Sequence, residues 1–437
     1  MLLFTSPAVL SVPGGSFLGT AAWYRIKYRE LCVSAPLEDI TVIEIDSYMA
    51  APSTGAILAD LGARVIKVEP LTGDPMRGIS RPAKIDGPLQ GYDFGFDVDN
   101  RGKRSIAVAL DIEAGAALIH RLVKNAQVFL CNLLPHRQQR FGLDPETLKA
   151  INPRIVHATL TGYGTRGPDA LRPGYDVTAF FGRSGIYDAM RDGDEGEVPN
   201  ARPAQGDHTA GLALLGGILA ALRHAERTNQ AQVIETSLYE SAIWTQANDF
   251  GVTAVDQAPV RRRSRHQMLT PEANRYPCGD GKWVVLNQLG PASFEKLCKA
   301  LGSEAWLGDE RFKDARSRYR NMPVLVSAID EIMTRRSRDE WGEIFDSVGL
   351  IWGPVLTLDE VARDAQADAI GMFPEIEHPD HGSYRSVRIP MCFEDADVGP
   401  RGPAPEVGEH TREVLVEAGL SEAEIDALAG AGAVRQA

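Results

Sequence analysis

Short runs rich in valine and isoleucine alternate with stretches of helical periodicity from about Pro36 onward. The β-branched runs predict buried strands at 40–46, 64–69, 104–111, 127–132, 154–162 and 232–237. Apolar residues at helical spacing predict helices at 53–63, 112–126, 144–151 and 209–227. This alternation predicts an α/β fold whose large domain has an open parallel sheet covered by helices on both faces.

A smaller α+β domain is predicted after the basic run RRRSR at 261–265. There the pattern changes to a turn and strand at 278–287, followed by a helix at 291–302. Ahead of the basic run, a single helix is predicted over 238–255. Near the end of the chain, SEAE at 421–424 has the spacing of a capping box and predicts a helix start.

Composition and charge exclude several classes of function. With 44% hydrophobic and 24% charged residues, the 437-residue chain is typical of a globular protein. Its formal charge of −13 disfavours binding to nucleic acid or to an anionic membrane surface. The five cysteines form no CxxC pair, and no HExxH pattern occurs, so we expect neither a disulfide framework nor a metal site. These features predict a cytoplasmic protein.

Residues 1–35 are predicted to be an N-terminal extension. Their apolar part precedes their basic part, which is the reverse of the order in a signal peptide. Pro7 and Pro13 interrupt any helix that could cross a membrane. An organellar transit peptide remains an alternative, because no acidic residue occurs before Glu30.

The segment GYGTRG at 162–167 has the GxGxxG spacing of a dinucleotide site and follows a predicted strand. Pro168 comes next, however, and no helix opens on the glycines to hold a pyrophosphate. A turn is the preferred interpretation. The chain also lacks the GxxxxGK[ST] motif of P-loop enzymes and the GxSxG motif of α/β-hydrolases.

Two further motifs are open to a structural and a chemical interpretation. Asp207 in GDHTAG stands near a predicted helix start, where aspartate is a preferred cap, but Thr209 can cap the same helix. Asp207 is then free for chemistry, and Gly206 gives a ligand room to approach. The basic loop NRGKRS at 100–105 is either solvated or a clamp for phosphate.

The motifs taken together resemble those of the class III CoA-transferases, the family of formyl-CoA transferase, carnitine CoA-transferase and α-methylacyl-CoA racemase. The resemblance runs from about Pro36 to the C-terminus. It rests on eight segments in the family's order. They are PLEDITVIEIDSYMAAPSTGAILADLGARVIKVEPLTGDPMRG, NRGKRS, CNLLPHRQQRFGLDPETLKAINPRIVHATLTGYGTRGP, PGYDVTAFFGRSGI, GDHTAG, EHPDHG, PAPEVGEHT and GLSEAEIDAL.

The resemblance implies a Rossmann-like large domain built from both ends of the chain, a small domain, and a homodimer of two interlocked rings. The implied boundaries follow the N-terminal extension at 1–35. They place the large CoA-binding domain at 36–235 and 350–437, a linker helix at 236–261, and the small domain with its return linker at 262–349.

The resemblance also implies a site and a chemistry. Asp207 matches the family's nucleophile, which attacks an acyl-CoA thioester and carries the acyl group or CoA covalently. The helix start is expected to hold the pKa of Asp207 down. Coenzyme A is a cosubstrate, and no tightly bound cofactor or metal is implied. Supporting residues are Tyr175, Asp176 and Gly206, and CoA contacts are expected from Lys67, Arg77, Lys103, Arg104, Asn132, Arg140, Met49 and Ala50.

Two departures narrow the activity. The racemases carry histidine and aspartate where this chain has Tyr175 and Asp176, and tyrosine suits two-way proton transfer poorly at neutral pH. The glycine run that formyl-CoA transferase places early in its small domain is missing, so formate and oxalate are unsupported. The sequence therefore predicts CoA transfer between carboxylic acids. A racemase or other acyl-CoA isomerase, and a non-catalytic CoA-binding paralogue, remain the alternatives.

Overall fold

The structure, a computed structural model, describes residues 34–79 and 85–436. The extension predicted at 1–35 lies almost wholly outside this part of the chain. Within these two ranges, no helix is both long enough and apolar enough to cross a membrane.

Twelve strands form three sheets within the described residues. They are β1 Thr41–Ile45, β2 Arg64–Glu69, β3 Arg104–Val108, β4 Val128–Cys131, β5 Val156–Thr161, β6 Gln232–Ser237, β7 Ala273–Pro277, β8 Trp283–Asn287, β9 Trp352–Val355, β10 Glu375–His378, β11 Gly382–Arg385 and β12 Val434–Arg435. The large sheet has the order β12-β3-β2-β1-β4-β5-β6. All its neighbours are parallel except β12, which pairs antiparallel with β3. The predicted open parallel sheet is confirmed.

The α-helices connect and cover these strands. They are α1 Ala50–Asp60, α2 Phe94–Asn100, α3 Glu113–Val123, α4 Pro135–Arg140, α5 Pro145–Ile151, α6 Ile186–Ala189, α7 Gln205–Thr228, α8 Leu238–Thr245, α9 Ala247–Asp256, α10 Ser293–Leu301, α11 Ala315–Arg320, α12 Met322–Met333, α13 Arg338–Val348, α14 Leu358–Val361, α15 Ala365–Ala369, α16 Thr411–Glu417 and α17 Glu422–Gly430. A π-helix spans Asp176–Gly182, and 3₁₀-helices span Arg265–Gln267 and Glu304–Gly308.

The large sheet buries apolar side chains on both of its faces. Successive residues of β1 alternate, so that Val42 packs into the cluster under α1 and α7, while Ile43 packs into the cluster under α3 and α17. Helix α1 is fully buried and approaches α7 closely. The closeness is shown at Gly211 of α7, where an added Cβ would lie only 2.3 Å from the Ser53 Oγ of α1. This layer of α1 and α7 over the sheet positions the candidate site.

The second unit has a core of its own around an antiparallel sheet, β7-β8-β9. Leu297 of α10, Ile329 of α12 and Phe345 of α13 are buried against it. Strand β9 lies after residue 349, where the sequence placed the end of the small domain, and it pairs with β8. The antiparallel sheet therefore takes a strand from the segment that returns to the large sheet.

Two local predictions have different outcomes. The helix predicted over 238–255 is divided into α8 and α9 at Gln246, whose φ of −109° and ψ of 20° leave the helical region. The capping box is confirmed, since the Ser421 Oγ accepts from the Glu424 N–H and the Glu424 carboxylate accepts from the Ser421 N–H.

Candidate active site

A cleft of about 1090 Å³ opens at the carboxyl ends of the parallel strands. The strand order reverses between β1 and β4, and in open α/β sheets such a reversal leaves a crevice where ligands bind. The segment Asp46–Ala50 after β1 and Asn132 after β4 line this cleft. Asp207, Asp176 and Tyr175 line it as well, so the sheet brings together residues distant in sequence.

Asp207 lies inside the first turn of α7, whereas the sequence predicted a helix start after it. The helix begins at Gln205, preceded by Ala204 with a φ of 79° in the left-handed region. Thr209 does not cap the helix, because its hydroxyl donates to the Gln205 carbonyl at 2.7 Å from within the helix. Neither predicted cap is formed, because the N-cap position is occupied by Ala204, which makes no side-chain cap hydrogen bond.

The pKa of Asp207 is raised to about 7, mainly by burial and then by the negative charges of Asp176 and Asp99. The expectation that the helix end holds this pKa down is therefore wrong. A helix N-terminus contributes about 0.3–1 kcal/mol, less than the cost of one pKa unit. Burial beside two acidic residues outweighs it.

Asp176 opens the π-helix beside Asp207. Its side chain is buried, and the Oδ1 atom accepts from the Val177 N–H at 2.6 Å. Its Oδ2 atom is buried without a hydrogen-bond partner among residues 34–79 and 85–436. Short π-helices frequently occur at functional sites. An unsatisfied carboxylate oxygen next to the candidate nucleophile is consistent with such a site.

Gly206 does not leave open space for a ligand, as the sequence had suggested. A Cβ at this position would lie 2.6 Å from the Phe180 Cγ and 2.9 Å from the Asp176 Cβ. The glycine allows the π-helix to pack directly against the start of α7. Its role in the structure is to bring Asp176 close to Asp207.

His208 is a residue that the sequence reasoning missed. Its Nε2 lies 2.9 Å from the Asp99 Oδ1, and this partner helps to raise the pKa of His208 although burial opposes the change. The positive charge of His208 in turn lowers the pKa of Asp207. Its position directly after the candidate nucleophile was the available signal.

Tyr48 adopts a strained backbone at the edge of the cleft. Its φ of 68° lies in the left-handed region, and its N–H donates to the Asp74 Oδ1 at 3.2 Å. The rings of Tyr48 and Tyr175 meet edge to face with centroids 5.3 Å apart. Met49 and Ala50, both predicted CoA contacts, follow Tyr48 and line the cleft.

The predicted residues Asn132 and Arg140 also line the cleft. The Asn132 amide donates to the Ser47 carbonyl at 2.7 Å and thereby links the ends of β4 and β1. Arg137, which the sequence reasoning missed, lines the cleft together with Arg140. The two arginines are three residues apart on α4, a spacing that places them on one helix face. Each guanidinium lies within 6 Å of the Phe141 ring.

Lys67 and Lys103 are not in the cleft. Both are buried, and Lys67 Nζ contacts carboxylate oxygens of Glu44, Asp46 and Asp74 at 3.2, 3.1 and 3.1 Å. Lys103 Nζ lies 2.7 Å from the Glu44 Oε1. These lysines form an ion-pair cluster beneath the cleft. Burial, followed by the charge of Glu44, raises the pKa of Asp46 well above its usual range, and a proton on Asp46 would balance the cluster's charge.

The side chains of Arg77 and Arg104 form ion pairs with glutamates of the protein. Arg77 pairs with Glu69 at 2.7 Å, lies 4.0 Å from the Phe96 ring centroid and donates to the Pro405 carbonyl. Arg104 pairs with two glutamates of α16 at 2.8 Å. Neither arginine side chain lines the cleft, although Pro75 and Met76 of the GDPMR segment do. The charges of Arg77 and Arg104 therefore support the fold around the site.

The family of the chain follows from a match across most of its length. A family model described as CoA-transferase family III matches residues 37–411. The chain belongs to CoA-transferase family III and is a CoA-transferase. The resemblance inferred from the motifs is confirmed.

Individual relatives act on different acids. The chain is 33% identical to the cinnamoyl-CoA:phenyllactate CoA-transferase of Clostridium sporogenes over 402 residues, covering 89% of this chain and 95% of the relative. It is 31% identical to the succinate–glutarate CoA-transferase of Agrobacterium fabrum, covering 87% and 95%. The crystal structure of a CaiB/BaiF family protein from Brucella suis matches with a TM-score of 0.79 at 30% identity, covering 88% of this chain and 100% of the other.

Proposed function

We propose that Asp207 is the nucleophile that carries CoA between two carboxylic acids. A carboxylate oxygen of Asp207 bonds to the acyl carbon of a bound thioester while the C–S bond breaks. This step gives an acyl–aspartyl anhydride and CoA thiolate. The thiolate then attacks the aspartyl carbonyl, which releases the donor acid as its carboxylate and leaves an aspartyl–CoA thioester.

The second half of the cycle reverses these steps with the acceptor acid. Its carboxylate attacks the aspartyl carbonyl and expels CoA thiolate, which forms a second anhydride. The thiolate attacks the acceptor's acyl carbon, so that a new acyl-CoA leaves and the Asp207 carboxylate is restored. The complete exchange of one carboxylate for another takes up and releases no net proton.

The main support for this proposal is that the carboxylate oxygens of Asp207 are not used in hydrogen bonds or ion pairs within the part of the chain that the structure describes. Asp207 lines the cleft, and among the described residues its side chain accepts no hydrogen bond and forms no ion pair. A structural cap would use those oxygens on backbone N–H groups. A raised pKa also makes the ionised carboxylate more basic and hence a better nucleophile.

A covalent adduct on Asp207 is the direct test. The protein is incubated with a panel of acyl-CoA thioesters, digested and analysed by mass spectrometry. We expect a CoA or acyl mass on the peptide that contains Asp207, and conversion of that adduct to a hydroxamate by hydroxylamine. Binding without an adduct for every thioester would favour a non-catalytic paralogue. Deuterium exchange at the α-carbon without an adduct would favour an isomerase.

The rate of the donor half-reaction should rise with pH and level off above about 7. Asp207 must be ionised to attack, and burial with the nearby acids raises its pKa to about 7, so its reactive fraction falls below that pH. Replacing Asp176 by asparagine removes one of the charges that raise the pKa, so the inflection should move to lower pH by roughly half a unit to one unit. Stopped-flow measurement of kcat/KM against pH checks this shift.

Asp309→Asn is the control for the pH profile, because Asp309 pairs with Arg311 in the small unit. It should leave the inflection unchanged. An inflection that stays in place in Asp176→Asn, or moves to higher pH, would contradict the assignment of the titrating group to Asp207.

We further propose that the protein is a homodimer. Trp244, Val252 and Val255 expose 80%, 63% and 84% of their surface on α8 and α9. Exposed apolar residues at this density mark interaction sites, and a second copy is the commonest partner. Static light scattering should give twice the mass of one chain. The interlocked arrangement stays a prediction.

A further inference from the structure

We infer that the acyl group transferred by this enzyme is an apolar chain that ends in an aromatic ring or a branched alkyl group, and that it packs against Tyr48 and Tyr175. The inference rests on the proposed function, because it places the acyl carbon at Asp207. It assigns a substrate class to this one member of a family whose members act on different acids.

The walls of the cleft near Asp207 are mainly apolar. Leu160, Pro203 and Leu238 line the cleft along with the two tyrosines. They come from the end of β5, the segment before α7 and the start of α8. A chain extending from the acyl carbon would meet hydrocarbon and ring surfaces, and the burial of apolar surface favours such a chain.

The tyrosine pair presents an accessible side chain, that of Tyr175, beside a tyrosine with a restrained backbone, Tyr48. Tyr175 leaves 54% of its surface exposed although its ring contacts Tyr48 edge to face. Tyr48 keeps a left-handed backbone, which costs free energy in a residue with a side chain and persists only where neighbouring groups enforce it. The Asp74 carboxylate supplies that restraint through the Tyr48 N–H. An exposed ring next to a fixed ring is suited to aromatic or branched groups.

The charges near Asp207 disfavour a second carboxylate on the substrate. Asp176 and Asp99 place negative charge close enough to Asp207 to oppose its ionisation, and His208 is already paired with Asp99. Among the described residues that line the cleft, the cations are Arg137 and Arg140, which lie by Phe141 on α4. A dicarboxylic acyl group would therefore add repulsion without gaining a partner at Asp207.

Single-turnover consumption of thioesters by the intact protein tests this inference. The matched substrates are 4-methylpentanoyl-CoA and 3-phenylpropionyl-CoA against glutaryl-CoA, which has a chain of similar length with a second carboxylate. At equal enzyme concentration, we expect each apolar thioester to be consumed at least ~30-fold faster than glutaryl-CoA. Binding pockets can reach this degree of discrimination. Equal or faster reaction of glutaryl-CoA would overturn the inference while leaving the aspartyl mechanism intact.

Variants of the tyrosines test the location of the acyl group. In Tyr48→Ala and in Tyr175→Ala, the ratio of the 3-phenylpropionyl-CoA rate to the acetyl-CoA rate should fall about 10-fold, because acetyl is too short to contact the rings. A purely structural role would lower both rates and leave the ratio unchanged, which would contradict the inference. Tyr175 is exposed, so its variant is informative even where Tyr48→Ala folds poorly.

Tyr319→Ala is the control, since Tyr319 is a partly exposed tyrosine of the small unit that contacts Arg261. It should leave the rate ratio unchanged. If the unaltered protein consumes none of the thioesters, the proposed function fails, and this inference fails with it. That result is distinct from a preference for glutaryl-CoA.

Discussion

Replacing Asp207 by asparagine is expected to lower kcat/KM for CoA transfer by about 10³- to 10⁵-fold, the scale seen when an enzyme loses its nucleophile. Asparagine keeps the size of the side chain and the start of α7, but its amide oxygen is a poor nucleophile toward a thioester. The helix and the cleft walls stay in place, so affinity for CoA should change by less than about threefold. Steady-state kinetics and calorimetric titration with CoA measure the two effects separately.

A second variant guards against repair of the asparagine by deamidation. Asp207→Ala should show the same loss of transfer and the same retention of CoA binding. Asp309→Asn in the small unit serves again as the control and should keep full activity. Transfer above about one per cent of the original rate in Asp207→Ala would rule out this residue as the nucleophile.

Replacing Lys67 by methionine should destabilise the protein by about 3–5 kcal/mol, the usual cost of removing one partner from a buried ion pair. Lys67 is fully buried among Glu44, Asp46 and Asp74, and methionine leaves these acids with one fewer cation. The midpoint of urea unfolding should fall accordingly. Because the Asp74 carboxylate also accepts from the Tyr48 N–H, we expect the cleft to lose order along with stability.

Lys149→Met is the matched control for this prediction. Lys149 pairs with Glu146 at the surface, within one turn of α5, and exposed pairs of this kind contribute about 0.3–0.5 kcal/mol. The urea midpoint of the Lys149→Met variant should therefore stay close to that of the unaltered protein. A similar midpoint for both lysine variants would show that the buried cluster is not a major source of stability.

Periodicity in the sequence was sufficient to predict the six parallel strands of the large sheet, but it did not predict β12. The residues of β2 and β6 coincide with their predicted runs, because both runs are rich in β-branched residues, which favour strands. The break at Gln246 was not predictable in this way, since apolar spacing continues across it from α8 into α9. The first turn of α7 was missed for another reason, because its Gln-Gly-Asp start carries no apolar period.

The candidate site was predicted in part, and the limits are physical. Motifs identified Asp207, Asn132 and Arg140, which the fold brings into one cleft. The same motifs contain Lys67 and Lys103, whose charges are satisfied inside the protein. A sequence motif identifies a residue, but it does not show whether that residue contacts a ligand or forms a buried ion pair. The raised pKa of Asp207 depends on its burial and then on the charges of Asp176 and Asp99, which no local pattern specifies.

The pairing of β12 with β3 has a consequence for how the protein is made. Val434 pairs with Val108 at the outer edge of the large sheet, and Gly408 and His410 bond to Ser105. The edge of β3 is thus covered by residues that are synthesised after all the other strands of the large sheet. Contacts between such distant parts of a chain form slowly, and an open strand edge invites association with other chains. During synthesis the unfinished large domain is therefore the part that needs protection from aggregation.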